Sequence, residues 1–294
     1  MRTRAVIGIS AALILLIGGS AAGQTHQAGP EGDPSGAQRE QVWWVPMQQS
    51  GKTLYLETTV YRPQGAGPFP LVIINHGSPR EASVRRDKAR IRFFEQSRWF
   101  VYQGYAVVIP MRRGYGGSDG KWAESYGTCN DPNYVRGGLS TAADISAVVR
   151  YFKQQSFVDR NRLLLVGHSA GGFGSIAFAS RNPAGVIGVV NFAGGRGSID
   201  TNTVCTEQRL IEAMGHFGRT VRIPSIWLYA ENDVKMFPQL AHRMFDAYRQ
   251  GGAPASFFET RSFGHDGHTT FSNWDGSGIW IPLVSKFMAG LPAR

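Results

Sequence analysis

The stretch Leu163-Leu164-Leu165-Val166-Gly167-His168-Ser169-Ala170-Gly171-Gly172 decides the fold. An apolar run leads straight into Gly-x-Ser-x-Gly and then into small, helix-compatible positions. That pattern is a buried parallel strand, an abrupt turn and a helix, the arrangement of a nucleophile elbow. The glycines are required because side chains there collide with the neighbouring strand and helix, while the serine backbone is itself strained. Ser169 is expected at the tip of the turn, at the carboxyl edge of the sheet, beside a helix N-terminus that favours negative charge.

Outward from the elbow, short apolar runs alternate with helical ones. Leu71 to Ile74, Tyr105 to Pro110, Val186 to Phe192, Ile226 to Ala230 and Ala255 to Thr260 read as core strands. Helices are expected over Lys88 to Tyr102, closed by Gly104, and over Thr141 to Phe152, Ala170 to Ala179, Phe237 to Arg249 and Ile279 to Met288. This alternation predicts an α/β fold with a mostly parallel central sheet and helices on both faces. Upstream, two β-rich runs, Val42 to Pro46 and Leu54 to Tyr61, flank Ser50-Gly51-Lys52 and predict an antiparallel hairpin. Residues 193–222 are too many for a simple connection and carry a helical pattern over Glu207 to Phe217, so a lid or cap insertion is expected there.

A serine hydroxyl becomes a useful nucleophile only when a base takes its proton, and the base needs an acid to hold its tautomer. Both partners are expected at later strand ends on the same sheet edge. Asp233 follows the strand Ile226 to Ala230 by a short turn, and His268 lies in the glycine-rich loop after Ala255 to Thr260. The chain order Ser, Asp, His is that of an α/β-hydrolase elbow. Glu231 competes for the acid role and His265 for the base.

At these residues the chain resembles the α/β-hydrolases and is similar to their dienelactone hydrolase branch. Tyr229-Ala230-Glu231-Asn232-Asp233 matches the segment that supplies the acid there, and Asp266-Gly267-His268 matches the segment that supplies the base. The resemblance runs from Leu71 to the C-terminus, implies an α/β-hydrolase fold, and assigns Asp233 and His268 as partners of Ser169. It departs from the members that use a Cys nucleophile, because a serine occupies that position. A tetrahedral intermediate also needs donors for its oxyanion. The Ala170 N–H is one. The resemblance implies that the His76-Gly77-Ser78 segment supplies the other, assigned to the Ser78 N–H, with His76 hydrogen-bonded within its loop and His168 a structural neighbour of the nucleophile. No His-Glu-x-x-His or paired ligand spacing occurs, so neither a metal nor another cofactor is expected.

The composition, 42% hydrophobic and 18% charged over 294 residues, is globular and fits one α/β domain over 41–294. Arg2 and Arg4, the apolar run Ala5 to Ile17 and the small residues Gly18 to Ala22 read as a signal peptide over 1–22. A membrane anchor is the rival, but the apolar part is short of the ~20 residues a span needs. Residues 23–40, rich in Gly, Pro, Gln and Ser, are expected to be a flexible leader. Export to the periplasm or medium follows, without stable membrane insertion after cleavage, and an oxidising compartment allows Cys129 and Cys205 to pair. Much of the formal charge of +10 sits between Arg80 and Arg98, which reads as a solvated helix face, with the binding of acidic substrates or of an anionic envelope as the alternative. No nucleic-acid motif is present, so no nucleic-acid partner is expected.

The expected activity is that of a serine hydrolase cleaving a small-molecule carboxylic ester through an acyl-enzyme on Ser169. A serine peptidase or amidase of the prolyl oligopeptidase-like type, to which the resemblance extends weakly, is one alternative. A non-catalytic binding protein on the same fold is another. Trp122, Tyr126, Phe217 and Trp274 either line an acyl pocket or pack the core and lid.

Overall fold

The computed structural model describes residues 26–292, so the expected signal peptide lies outside the described residues. The strands are β1 (Gly29–Ser35), β2 (Glu40–Gln49), β3 (Lys52–Tyr61), β4 (Phe69–Asn75), β5 (Ala106–Pro110), β6 (Val158–His168), β7 (Val186–Phe192), β8 (Ser198–Asp200), β9 (Thr203–Val204), β10 (Ser225–Ala230) and β11 (Ala255–Thr260). The helices are α1 (Ala82–Arg86), α2 (Phe94–Tyr102), α3 (Tyr134–Phe152), α4 (Ala170–Ala179), α5 (Glu207–Gly218), α6 (Pro238–Gln250) and α7 (Ser277–Ala289).

Among the described residues, nine strands form one sheet in the order β1-β2-β3-β5-β4-β6-β7-β10-β11. From β5 to β11 every pairing is parallel, and β1, β2 and β3 extend the β5 edge as an antiparallel meander. The central strands are apolar without interruption because both faces are covered. Leu71, Ile73, Leu163, Leu165, Val189 and Trp227 face a core closed by α3, α4, α5 and α6. Their alternate neighbours Val72, Ile74, Leu164, Val166 and Val190 face a second core, where Phe100 of α2 meets Trp280 and Val284 of α7. The α/β-hydrolase architecture expected from the sequence is therefore present.

Four segments differ from expectation. α3 starts at Tyr134, two turns before the expected Thr141, where the Asn133 side chain accepts from the Arg136 N–H as its cap. The leader 23–40 contains β1, which pairs with β2 from Gly29 opposite Trp44 to Ser35 opposite Glu40. Its polar composition reflects an edge strand with one buried residue rather than a free tail. The helix expected over Lys88 to Tyr102 begins only at Phe94, because the preceding chain is drawn out along β2 and β3. Thr59 donates to the Ile91 carbonyl at 2.8 Å, and Arg92 donates from Nε to Glu40 Oε1 at 2.7 Å. Its end is as expected: Gly104, at φ 84°, donates to Val101 O while Tyr105 donates to Phe100 O, closing α2 in a Schellman turn. Within the expected lid 193–222, α5 is a member of the helical layer, with Leu210, Met214 and Phe217 buried in the first core. Only residues 193–206, which carry the β8–β9 hairpin, stand at the carboxyl edge of the sheet.

Candidate active site

β6 ends at His168 and α4 begins at Ala170, so Ser169 alone makes the turn. Its backbone lies at φ 55°, ψ −124°, a region open to glycine and costly for a residue with a Cβ. The turn is this tight because three backbones meet around it. A Cβ on Gly171 would run into the Asn75 carbonyl, and one on Gly172 would lie 2.9 Å from Gly194 Cα. The Ser169 N–H donates to Phe192 O at 2.9 Å, which pins the elbow to the end of β7.

Asp233 sits in the turn after β10, whose N–H at Asp233 donates to Ala230 O at 3.0 Å. Its carboxylate is buried, and Oδ1 accepts from the Lys235 and Met236 N–H groups, both at 2.8 Å. His268 Nδ1 lies 3.1 Å from Asp233 Oδ1 and 3.0 Å from Oδ2. Burial pushes the Asp233 carboxyl up, but His268 and the two backbone donors outweigh it and hold it below its ordinary value. A carboxylate only accepts, so Nδ1 carries the proton of the neutral ring and Nε2 is the nitrogen left to take another. Gly267 lets the two loops close on each other, since a Cβ there would lie 2.4 Å from both Ala230 Cβ and Asn232 Oδ1.

The rivals named from the sequence are occupied elsewhere. Glu231 is exposed and accepts from the Ser262 N–H at 3.0 Å and hydroxyl at 2.7 Å. His265 is exposed on the loop leading to His268. His76 is fully buried, with Nδ1 2.7 Å from Gly77 O. Burial, with Arg112 nearby, lowers its pKa well below the ordinary imidazole value, so it stays neutral.

The loop after β4 passes directly over the elbow: a Cβ on Gly77 would lie 3.3 Å from Ser169 Cβ. Ser78 and Ala170 line the same cavity as Ser169 and His268, and neither backbone N–H donates to another group among the described residues. Below this loop lies a polar cluster that sequence reasoning missed. The Tyr115 hydroxyl bridges Ser78 Oγ at 2.6 Å and Glu124 Oε2 at 3.0 Å, and its oxygen accepts from Trp122 Nε1 at 3.1 Å. Glu124 is fully buried between the guanidinium groups of Arg112 and Arg196. Burial alone would raise its pKa, but the two arginines hold it far below the usual carboxylate range. The available signal was Arg112-Arg113 immediately after an apolar strand, where two charges need buried partners.

The cavity measures about 790 Å³. Its walls come from the loop after β4 with α1, from the segment between β5 and α3, and from the β8–β9 hairpin. The last two are joined by a disulfide between Cys129 and Cys205, with Cα atoms 4.8 Å apart, as the sequence allowed. Of the four aromatics considered for a pocket, Trp122 and Tyr126 line the cavity. Phe217 packs on Phe173 at 5.6 Å, and Trp274 on Trp280 at 6.1 Å.

A strained serine at a sheet edge, facing a cavity it shares with an imidazole held by a buried carboxylate, defines a serine-hydrolase-type α/β-hydrolase. The chain belongs to the X-Pro dipeptidyl-peptidase (S15) family, whose model matches residues 52–256. No curated protein matches the chain. Among solved structures it is similar to a cold-adapted esterase from an Arctic intertidal metagenomic library, at 15% identity and TM-score 0.61, over 90% of this chain and all of the other (100%). It is similar to a Klebsiella pneumoniae protein assigned as a dienelactone hydrolase, at 16% identity and TM-score 0.56, over 83% of this chain and 96% of the other. It is also similar to Porphyromonas gingivalis dipeptidyl peptidase 4, at 14% identity and TM-score 0.57, over 84% of this chain but only 34% of that longer one. These likenesses are to a fold that carries both esterases and peptidases.

Proposed function

We propose that the protein is an exported serine esterase that cleaves a small-molecule carboxylic ester through an acyl-enzyme on Ser169. The observation that carries this is the His268–Asp233 pair opening into the cavity of the strained Ser169. Ser169 Oγ attacks the ester carbonyl carbon as His268 Nε2 takes the hydroxyl proton. The carbonyl oxygen, now negative, is held by the Ser78 and Ala170 N–H groups. The C–O bond of the alcohol breaks as the imidazolium returns the proton to it. Water then repeats the sequence on the acyl-enzyme, releasing the acid and Ser169. Asp233 holds the His268 tautomer and stabilises the imidazolium throughout. The signal-peptide pattern over 1–22 and the Cys129–Cys205 disulfide support export.

The family name favours a second reading, removal of an X-Pro dipeptide from a peptide amino terminus. Such a substrate brings a cationic amine into a cavity lined by Arg80, Arg85, Lys88 and Lys235, with Glu81 as the only acidic lining residue among the described residues. That balance supports the ester. Turnover of p-nitrophenyl acetate is compared with that of an X-Pro anilide, with a fluorophosphonate probe reporting Ser169. Labelling lost in Ser169→Ala, with ester turnover exceeding anilide turnover, is expected. Anilide cleavage without ester turnover overturns the esterase, and an unlabelled wild-type protein overturns catalysis by Ser169.

A further inference from the structure

Among the described residues, four arginines are buried: Arg85, Arg112, Arg113 and Arg196. Three have a carboxylate beside them. Arg112 and Arg196 share Glu124, and Arg113 donates to Asp144. Arg85, 7% exposed on α1, has none among the described residues. Its Nη1 donates to the carbonyls of Pro79 and Arg80, Nε is buried without a partner, and Nη2 makes no hydrogen bond within the described chain. The guanidinium lies over the Trp122 ring, 3.9 Å from its centroid, and both residues line the active-site cavity.

An uncompensated buried charge is costly, and a tryptophan face offsets only part of that cost. The rest of the wall adds positive charge. Half-buried Lys88 and exposed Arg80 and Lys235 line the same cavity without an ion pair among the described residues, while Arg196 is neutralised by Glu124. Arg80, Arg85 and Lys88 are thus part of the cavity wall, while Arg86 keeps the solvated position the composition suggests.

We propose that Arg85, stacked on Trp122 and backed by Lys88, is the recognition site for a carboxylate on the substrate, so that the ester this cavity takes is an acidic one. The substrate carboxylate supplies the counter-charge that the fold withholds from Arg85. It is held by a charge-assisted hydrogen bond from Nη2, in a wall where such bonds are stronger than in water. This rests on the esterase reading of the same cavity.

The test uses ester pairs that differ only in carboxylate against carboxamide. Mono-p-nitrophenyl glutarate with p-nitrophenyl 4-carbamoylbutanoate places the anion on the acyl side. The 3-carboxyphenyl and 3-carbamoylphenyl acetates place it on the alcohol side. In at least one pair kcat/KM favours the carboxylate by about tenfold to a hundredfold. The preference falls as salt is raised toward about 1 M, collapses toward unity in Arg85→Gln and is partly kept in Arg85→Lys. Should Arg85→Gln fail to fold, Lys88→Gln and the salt series on the wild-type enzyme carry the test. Calorimetry of glutarate with Ser169→Ala reads the site without turnover. A ratio of one or less in both pairs, from an enzyme that takes the fluorophosphonate label, overturns the acidic substrate and leaves the esterase standing. Absence of glutarate binding together with a ratio of one or less in the alcohol-side pair likewise overturns it, whatever the outcome of labelling.

Discussion

His168 Nε2 lies 2.7 Å from the main-chain oxygen of His268, so the residue before the nucleophile holds the loop that carries the proposed base. The carbonyl only accepts, which fixes the proton on His168 Nε2. Burial, with His268 close by, pushes the His168 pKa down to about 3, so this donor does not titrate near neutrality. Replacing it by Ala leaves the His268 carbonyl unpaired and lets the imidazole drift. A drop in kcat of about tenfold to a hundredfold is expected, the scale of a 1 Å misplacement, with KM little changed. Steady-state kinetics on a small neutral ester check this, and an unchanged kcat refutes the positioning role.

The backbone of Ser169 makes a second prediction, independent of any substrate. At φ 55°, ψ −124° a glycine is at ease and an alanine is not. Ser169→Gly is therefore expected to be more stable than Ser169→Ala by about 1–3 kcal/mol, less the extra freedom that glycine gives the unfolded chain. Both variants lose fluorophosphonate labelling. Denaturant titration of the pair measures the difference, and an alanine variant as stable as the glycine one contradicts the strain.

Acid stability follows from four groups that act with one sign, opposed by Asp144, which burial pushes up to about 6 so that the folded chain takes up its proton before the unfolded chain does. His168, held down to about 3 against an ordinary 6.5, and His76, also lowered, each favour unfolding once the unfolded chain can take up a proton. Their contribution is complete above pH 6.5 and is lost as pH falls toward the folded value. Asp233 and Glu124, both lowered, extend the loss below their ordinary values of 3.8 and 4.5. The urea midpoint is expected to decline from about pH 6.5 downward. Glu124→Gln strips Arg112 and Arg196 of their counter-charge, costs about 3–5 kcal/mol near neutrality, and removes part of the slope below pH 4.5. A midpoint independent of pH from 7 to about 4 is the contrary result.

The Cys129–Cys205 bridge closes a loop with a sequence separation of 76 residues. Chain-entropy arguments assign such a loop about 4 kcal/mol, so the double serine variant should unfold at correspondingly lower denaturant. Thiol titration of the denatured protein is expected to find no free thiol before reduction and both afterwards. A free thiol before reduction rejects the bridge.

The parallel core strands and the serine turn were legible because each rests on local pattern: Leu163 to Val166 can only be a doubly covered strand, and the elbow glycines are forced by backbone contact. Asp233 and His268 were singled out because the chemistry asks for an acid and a base at later ends of the same sheet edge, and the structure brings their side chains together. The fate of charged side chains was less visible, since it depends on distant partners. Arg90 and Arg92 reach Glu40 across more than 49 residues of chain and unwind the helix expected around them. Glu124 gave no periodic signal, yet two arginines close on it from separate segments. The polar run before Glu40 matched a mobile tail in composition because an edge strand exposes one side to water.

The disulfide has a further consequence for altering what the enzyme accepts. Cys129 lies between β5 and α3, and Cys205 follows the β8–β9 hairpin, so two walls of the cavity are stitched together while Ser169, Asp233 and His268 stand on strand ends beyond the stitch. Loop grafts that aim at new substrates must therefore transplant residues 111–133 and 193–206 as a matched pair, cysteines included. The sheet beneath can stay as it is.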